Sequence, residues 1–342
     1  MLRAALLALA LGTAVLAADR TTSDLQPDLH RLLVGDLKFS AGEIADLERG
    51  KVVRHTLPAA AVREVAAVGG VRIQASKERF AAAYRDIVRF KRSSSVLEIG
   101  RFSNPPELSD LDRLTITPDD FDLRGCHVGD CEIRLPADEI RRVEKEIDWK
   151  RPDADARAAA LFKQMLFDNV RAYTAGGPGR IRQYDDDTPP IMPDDDLHAL
   201  LKSSPYIGTA FPGLPAHLSS YPAEPLHGAE DFLYWSKEKF GFAPFISVTH
   251  VTLAPEGPHQ YVATTRDVYS SRYIDASLAL VIASDSVADR QAFYLFYVNR
   301  SRASALRGAF SRIRRSIVER RVRGSLEENL RAVKQRLEQS GN

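Results

Sequence analysis

Apolar and polar positions follow their clearest pattern in the last hundred residues of the chain. Three runs have the character of β-strands, at residues 244–253, 260–283 (long enough for two strands) and 292–299. A basic helix is predicted from about Ala303, with one apolar stripe at spacings of 4, 3 and 4, formed by Leu306, Phe310, Ile313 and Ile317. Consecutive antiparallel strands need a cover for their apolar face, and a one-sided helix directly after them supplies it.

The first third of the chain adds further strands and one amphipathic helix. Strands are predicted at residues 52–57, 64–73 and 96–102, and Gly69 and Gly70 in the second indicate a bulge or a close backbone approach. Ser76 is predicted to cap a helix whose apolar side carries Phe80, Tyr84, Ile87 and Val88. The predicted fold class is α+β, with an antiparallel sheet gripping a long C-terminal helix.

Residues 104–229 interrupt this order as a helical and irregular insertion. Helices are predicted at 136–148, 154–173 and 196–203, and the proline-rich segment 205–228 is predicted to be an irregular loop. The domain prediction is therefore a leader at 18–50 and a single domain at 51–339 that contains the insertion.

The terminal helix carries a second apolar stripe on its opposite side, formed by Leu326, Leu330, Val333 and Leu337. Gly324 lies between the two stripes, and Ser325 with Glu328 matches a capping box. The helix is therefore expected to break or kink at Gly324, and its last fifteen residues to pack away from the cavity.

The order strand, helix, several antiparallel strands and long terminal helix resembles the START-like helix-grip superfamily, also called SRPBCC. The resemblance lies in residues 65–73 running into 76–90 and residues 245–299 running into 303–337, with Asn299-Arg300-Ser301-Arg302 at the last junction. It covers about half of the chain. It implies an apolar ligand held between sheet and helix, and catalysis in a minority of members.

The N-terminus has one arginine, Arg3, and then an apolar run from Ala4 to Leu16. Val15 and Ala17 occupy the −3 and −1 positions of a cleavage site, so residues 1–17 are predicted to be a secretory signal, with an uncleaved anchor as the alternative. The protein is accordingly expected to be exported and soluble, either periplasmic or secreted.

Cys126 and Cys131 are the two cysteines of the chain. In an oxidising compartment, two nearby cysteines predict a disulfide that closes a short loop, which Gly125 and Gly129 make sterically possible. A redox dithiol or a metal site with His127 is the alternative. Neither the two-residue spacing of redox motifs nor a second ligand pair is present, so no metal site is predicted.

The formal net charge of +1 argues against nucleic acid as a partner, because phosphate neutralisation requires a broad basic surface. Charge is nevertheless uneven along the chain. From Arg300 onward, Arg and Lys outnumber Asp and Glu by twelve to four. This region is either a solvated helix face or a peripheral contact with an anionic membrane surface.

Signatures of nucleophilic, metalloprotease, phosphate-loop and dinucleotide chemistry are missing from the sequence, so no catalytic residue and no cofactor is predicted. Arg272 shares strand parity with Ile274 and Leu278, which places it either against an anionic ligand head or in a pair with Asp267. The candidate ligand-binding residues are Trp235, His250, Arg266, Arg272, Tyr294, Tyr297 and Phe310.

The leading functional hypothesis is a non-catalytic protein that binds a lipid or another apolar molecule between the sheet and helix 303–322. An enzyme of the same fold is the first alternative, and it would need His250 within hydrogen-bond reach of Asp267 or Asp275. An envelope interaction module is the second alternative, and it would show an exposed aromatic patch at residues 205–221.

Overall fold

The structure is a computed structural model that describes residues 23–186, 189–240, 243–307 and 311–339. The predicted signal segment 1–17 and the candidate residue Phe310 lie outside these ranges. The elements below are numbered along the described part of the chain.

One antiparallel sheet of eight strands is the centre of the molecule. The strands lie in the order β1-β2-β8-β7-β6-β5-β4-β3, and every neighbouring pair is antiparallel. Their bounds are β1 Val53–Leu57, β2 Glu64–Ile73, β3 Val96–Arg101, β4 Glu230–Phe240, β5 Ala243–Glu256, β6 Gln260–Ser270, β7 Ala276–Asp285 and β8 Phe293–Arg302. With the long terminal helix described next, this sheet confirms the predicted α+β fold class.

Three helices cover one side of the sheet, which we call the gripped face. They are α3 Lys77–Arg85, α4 Ile87–Phe90 and α10 Ser311–Gln339. Ser76 caps α3 as predicted, because its side chain accepts a hydrogen bond from the Arg79 backbone at 3.3 Å. Phe80, Tyr84 and Leu330 are buried with Leu295 and Val281 of the sheet.

Seven helices cover the opposite side, which we call the outer face. They are α1 Pro27–Gly35, α2 Ala41–Glu48, α5 Ala137–Glu146, α6 Ala154–Gly176, α7 Pro193–Lys202, α8 Tyr206–Ala210 and α9 Leu214–Ser220. The leader therefore folds as α1 and α2, and the segment predicted as a loop at 205–228 contains α8 and α9. Both segments bury apolar side chains such as Leu33 and Ile207 on the sheet, and this tertiary packing outweighs their local turn signals.

The terminal helix corrects two expectations. It continues through Gly324 without a break, and its second stripe, with Leu326, Leu330 and Leu337 buried, is the one that packs on the gripped face. Ile313 and Ile317 of the first stripe are 60% and 57% exposed. Leu306 precedes the helix in a short 3₁₀ turn and is buried.

Gly69 and Gly70 account for where α10 packs. A Cβ atom at Gly69 would lie 2.9 Å from Leu330 and 3.1 Å from Leu326, and one at Gly70 would lie 2.4 Å from Phe296. The predicted close backbone approach is therefore present on both sides of β2, and any side chain at Gly69 would displace α10.

The sulfur atoms of Cys126 and Cys131 are bonded, with their Cα atoms 4.2 Å apart, which confirms the predicted disulfide. Gly129 inside the loop has φ +88°, a conformation that favours glycine. Two backbone hydrogen bonds hold this loop. The His127 N–H donates to the Asp130 carbonyl at 3.0 Å, and the Asp130 N–H donates to the His127 carbonyl at 2.9 Å.

Among the helices of the described residues, none has both the length and the apolar character that a bilayer span requires.

Candidate functional site

The predicted ligand-binding residues do not form one site. Trp235, His250, Arg266 and Tyr294 belong to the outer face, Tyr297 belongs to the gripped face, and Arg272 lies in the connection between β6 and β7. Side chains alternate between the two faces of a strand, so odd and even positions of one strand cannot reach a common ligand. The predicted residues therefore cannot all contact one ligand between the sheet and the terminal helix.

Three of these residues make structural contacts. The Trp235 indole is fully buried and donates to the Asp110 carbonyl at 2.8 Å. The Tyr294 hydroxyl donates to Asp24 at 2.7 Å. Arg272 reaches the Asp120 carbonyl and the Glu132 carboxylate, both at 3.1 Å, so the expected pair with Asp267 is not formed.

His250 and Arg266 belong to a chain of buried hydrogen bonds on the outer face. Arg266 donates to the Tyr173 hydroxyl and, at 2.7 Å, to the Leu218 carbonyl. Tyr173 lies 2.7 Å from Nδ1 of His250, whose Nε2 lies 3.0 Å from Asp231. His217 completes the chain, with Nε2 at 3.1 Å from Asp231 and Nδ1 at 2.7 Å from the Glu224 carbonyl.

The donors and acceptors fix the protonation of both imidazoles. Both nitrogens of His217 face oxygens that only accept, so this ring is an imidazolium, and its hydrogen bond with Asp231 raises its pKa above the ordinary value. The Tyr173 hydroxyl accepts from Arg266 and donates to His250. Burial lowers the pKa of His250 to about 4, with the nearby Arg266 adding, so this ring is neutral.

This chain of hydrogen bonds removes the geometric support for an enzyme that uses His250 with a neighbouring aspartate. The residue opposite His250 on β6 is Arg266, whereas Asp267 lies opposite Thr249 and points to the gripped face. Asp275 is held by Arg134 at 2.7 Å and by Arg63 at 3.1 Å. Neither of the two nominated aspartates therefore reaches His250. The chain of hydrogen bonds instead links α6, α9, β4, β5 and β6, so the role of His250 is structural.

The gripped face carries a row of small polar side chains where an apolar surface would be expected. The row consists of Thr265, Asp267, Ser277, Asn299 and Ser301, and we call it the polar row. Ser277 faces Ser301 across β7 and β8, and Asn299 donates to Ser277 at 3.0 Å. All five are half-buried, whereas outer-face residues of the same strands, such as Leu278 and Val298, are buried.

The polar row is half-buried because no helix of the described residues lies directly over it. α10 packs along β2 and β1 at one side of the sheet, and α3 crosses β6 and β7 near their far ends. We call the partly open stretch of the gripped face above the row the cleft. To one side of it α10 packs on β1 and β2, and to the other side α4 packs on β3. Tyr297 lies at the end of the row, next to Asn299 on the same face of β8.

Asp267 is the acidic group of the polar row. Thr249 donates to it at 3.3 Å, and β6 bulges directly after it, since Thr249 pairs with Asp267 and Val248 pairs with Tyr269. Burial raises the pKa of Asp267 to about 7, with Lys91 and Thr249 opposing the shift and Glu238 adding to it. Bulges that re-aim a side chain are frequent beside functional sites.

Lys91 approaches the same end of the gripped face but is already paired. Its ammonium donates to Glu238 at 2.8 Å and to the Tyr234 hydroxyl at 3.2 Å. It also lies 5.1 Å from the centre of the Tyr234 ring. Within the described residues, no lysine or arginine forms an ion pair with Asp267.

The outer face offers little space. One cavity between α5, α6 and β6 has a volume of about 10 Å³, and one beside Trp149 has about 20 Å³. Each holds roughly one water molecule. In the part of the chain that the structure describes, no cluster of His, Cys, Asp and Glu is arranged to bind a metal ion.

The sequence contained a signal for the polar row. Ser277 shares strand parity with Ala279 and Val281, and Asn299 shares parity with Tyr297 and Leu295, so each is a polar residue on an apolar face. Asp267 was treated only as a partner for His250 or Arg272. The alignment of all five residues depends on the register of three strands, β6, β7 and β8, which periodicity does not determine.

Comparison with known proteins gives no match, whether to a family model, to a curated protein or to a solved structure.

Proposed function

We propose that this protein binds an amphipathic small molecule in the cleft above the polar row, without catalysing a reaction on it. The observation that carries the proposal is the half-buried polar row on the interior face of the sheet. A polar group that is partly removed from water without full hydrogen bonding is costly, and a ligand with hydrogen-bonding groups would satisfy it. This role agrees with the export that the N-terminal segment predicts.

The strand order supports the proposed relation to START-like helix-grip proteins. In that relation β2 is the first strand of the grip, α3 and α4 follow it, and β8 returns beside it before α10. The insertion enters between β3 and β4 and covers the outer face. It therefore leaves the side between sheet and terminal helix open for a ligand.

Aromatic side chains near the polar row suit the apolar part of such a ligand. Tyr297 is half-buried at the end of the row. Tyr84 and Tyr234 are buried in one apolar cluster on the gripped face, and Tyr297 packs against this cluster. We place the ligand's polar head on the row and its apolar body against these rings, because aromatic side chains offer large apolar contact areas.

The test is ligand recovery and ligand titration. Organic extraction and native mass spectrometry of the purified protein should reveal a co-purified amphiphile, and isothermal titration should detect binding of 1-decanol. Ser277→Phe places a ring in the cleft and should abolish decanol binding. Ser94→Phe introduces the same ring at an exposed site and should leave it unchanged. Equal binding by both variants would exclude the cleft.

An envelope interaction module built on residues 205–221 has lost its main support. Tyr206 and Phe211, which would have formed its aromatic patch, are 5% and 4% exposed and pack in the outer-face core. Buried rings cannot contribute to a docking surface.

The exposed side of α10 favours a second role, peripheral contact with anionic membranes. Ile313 and Ile317 project from this side, and Arg314, Arg320 and Arg321 are exposed near them. An apolar strip flanked by arginines matches the interface of an anionic bilayer, in which isoleucine enters the acyl boundary and arginine contacts phosphate.

Vesicle sedimentation tests this second role. The protein should sediment with vesicles of equal phosphatidylglycerol and phosphatidylcholine, and less with phosphatidylcholine alone. The variant Ile313→Asp, Ile317→Asp should lose sedimentation, whereas Val287→Asp, at another exposed apolar position, should retain it. Identical sedimentation of both variants would rule out this surface.

A further inference from the structure

We infer that the cleft selects ligands that carry an organic ammonium group, with Asp267 as the residue that binds it. The inference rests on the proposed function, since it assigns the chemical class of the ligand to the same cleft. It follows from the position of Asp267, from the pairing of its charged neighbours and from the aromatic rings around it.

The first step concerns the hydrogen bonds of Asp267. A carboxylate can accept about four hydrogen bonds, and within the described residues Thr249 supplies one, at 3.3 Å. By contrast, Asp231 on the outer face accepts from His217, His250 and Thr252. Asp267 therefore retains accepting capacity on the side that faces the cleft.

The second step concerns charge. Lys91 is the cation whose field reaches Asp267, and it is committed to Glu238 at 2.8 Å. Among the described residues, the other titratable groups that interact electrostatically with Asp267 are Glu238, Tyr297 and Tyr184, and none of them carries a positive charge. A half-buried carboxylate without a counterion is stabilised by a ligand that brings a positive charge.

The third step concerns the surroundings of that charge. Tyr297 is half-buried on the same face of the sheet, two residues before Asn299 of the polar row on β8. A carboxylate beside an aromatic ring is a favourable environment for an ammonium group, because the ring face attracts cations and the carboxylate accepts charge-assisted hydrogen bonds. An anionic head would meet the opposite field, so fatty acids are disfavoured.

The experiment compares three probes with the same alkyl chain: decylamine, 1-decanol and decanoate. Wild-type protein at pH 8 should bind decylamine about tenfold more tightly than decanol, the effect of one charge-assisted hydrogen bond. Decanoate should bind most weakly. At pH 5.5 the preference for decylamine should shrink, because Asp267 is then protonated while the amine, with a pKa of about 10.4, stays charged.

Variants separate Asp267 from general electrostatics. Asp267→Asn should lose the preference for decylamine at both pH values, so that decylamine and decanol bind it with equal affinity. Asp267→Glu retains a carboxylate and should keep the preference. Asp119→Asn removes the same charge at an exposed position and should behave as wild type.

Each outcome decides one statement. Equal affinities of the wild type for decylamine and decanol, or a preference that survives in Asp267→Asn, would overturn the inference and leave the cleft as a binding site. Failure of the wild type to bind both decanol and decylamine would overturn the proposed function itself.

Discussion

Polar residues have different surroundings on the two faces of the sheet, as two adjacent positions on β6 show. Arg266 points to the outer face, where it is 1% exposed and joins a continuous chain of hydrogen bonds. Asp267, the next residue, points to the gripped face, where it is half-buried and held by Thr249. The outer face uses Arg266 to join elements, whereas on the gripped face Asp267 retains accepting capacity.

This contrast gives a criterion for separating architecture from function. A buried polar group whose partners all come from the protein fixes the positions of those partners. A partly exposed polar group with unused hydrogen-bonding capacity can instead bind a ligand. By this criterion His250 is architectural and Asp267 is the proposed site residue.

The largest expected difference in unfolding free energy is between variants of an aromatic residue on each face. Trp235→Ala removes a fully buried ring and its hydrogen bond to Asp110, and should cost about 3–5 kcal/mol of unfolding free energy. Tyr297→Ala removes a half-buried ring and should cost about 1 kcal/mol. Urea unfolding of both variants measures the difference. Equal costs would mean that the gripped face is packed as tightly as the outer face.

An intermediate difference in unfolding free energy is expected between variants of Asp231 and Asp267. Asp231→Asn leaves the imidazolium of His217 without its carboxylate and should cost about 2 kcal/mol at pH 7. The pKa of His217, measured by NMR, should fall toward its ordinary value. Asp267→Asn should be neutral or stabilising. A destabilising Asp267→Asn would instead make that residue part of the architecture.

The pH dependence of stability has opposite signs for the two aspartates. Burial of Asp231 is outweighed by hydrogen bonds from His217, His250 and Thr252, which hold its pKa below 3.8, so its contribution to stability is lost as pH falls. Asp267 has its pKa raised from 3.8 to about 7, so the native state binds this proton more tightly than the unfolded state. Its contribution therefore decreases as pH rises from about 4 to 7, and Asp267→Asn should remove that decrease.

The smallest expected effect concerns the disulfide in the outer layer. The double variant Cys126→Ser, Cys131→Ser should still fold, with a loss of about 2 kcal/mol in the chain-entropy model for so short a loop. Limited proteolysis should accelerate within residues 118–135, while the gripped face keeps its decanol affinity. A loss of ligand binding in this variant would show that the two faces are coupled.

The strands of the sheet were predicted well from the sequence, whereas the helices that pack on its two faces were predicted poorly. Most strand positions followed from alternation, and the position of Gly69 correctly indicated a close backbone approach. The stripe of α10 was assigned to the wrong side, because Ile313 and Leu330 are equally apolar and only the space beside Gly69 selects between them. Local periodicity shows that a helix has an apolar side, and tertiary packing decides which side is buried.

The candidate site was less predictable, for reasons of geometry. Residue type identified Tyr297 as a candidate, whereas Asp267 entered the prediction only as a partner for His250 or Arg272. Strand parity placed Arg272 on the apolar face at the end of a strand, whereas it lies in the connection between β6 and β7. Its partner Glu132 comes from the insertion, more than a hundred residues earlier in the chain. Contacts across such separations depend on topology, which no local pattern contains.

The pairing of β2 with β8 has a consequence for how the protein assembles. Val65 meets Ser301 in this ladder, so the sheet joins strands from opposite ends of the chain. Contacts of such high sequence separation slow folding, because a long loop must close before any of its hydrogen bonds forms. During synthesis β2 can pair with β1, but its other edge has no partner until β8 has emerged, and the polar row is incomplete until then. Binding at the proposed site would therefore require the chain to have folded through β8.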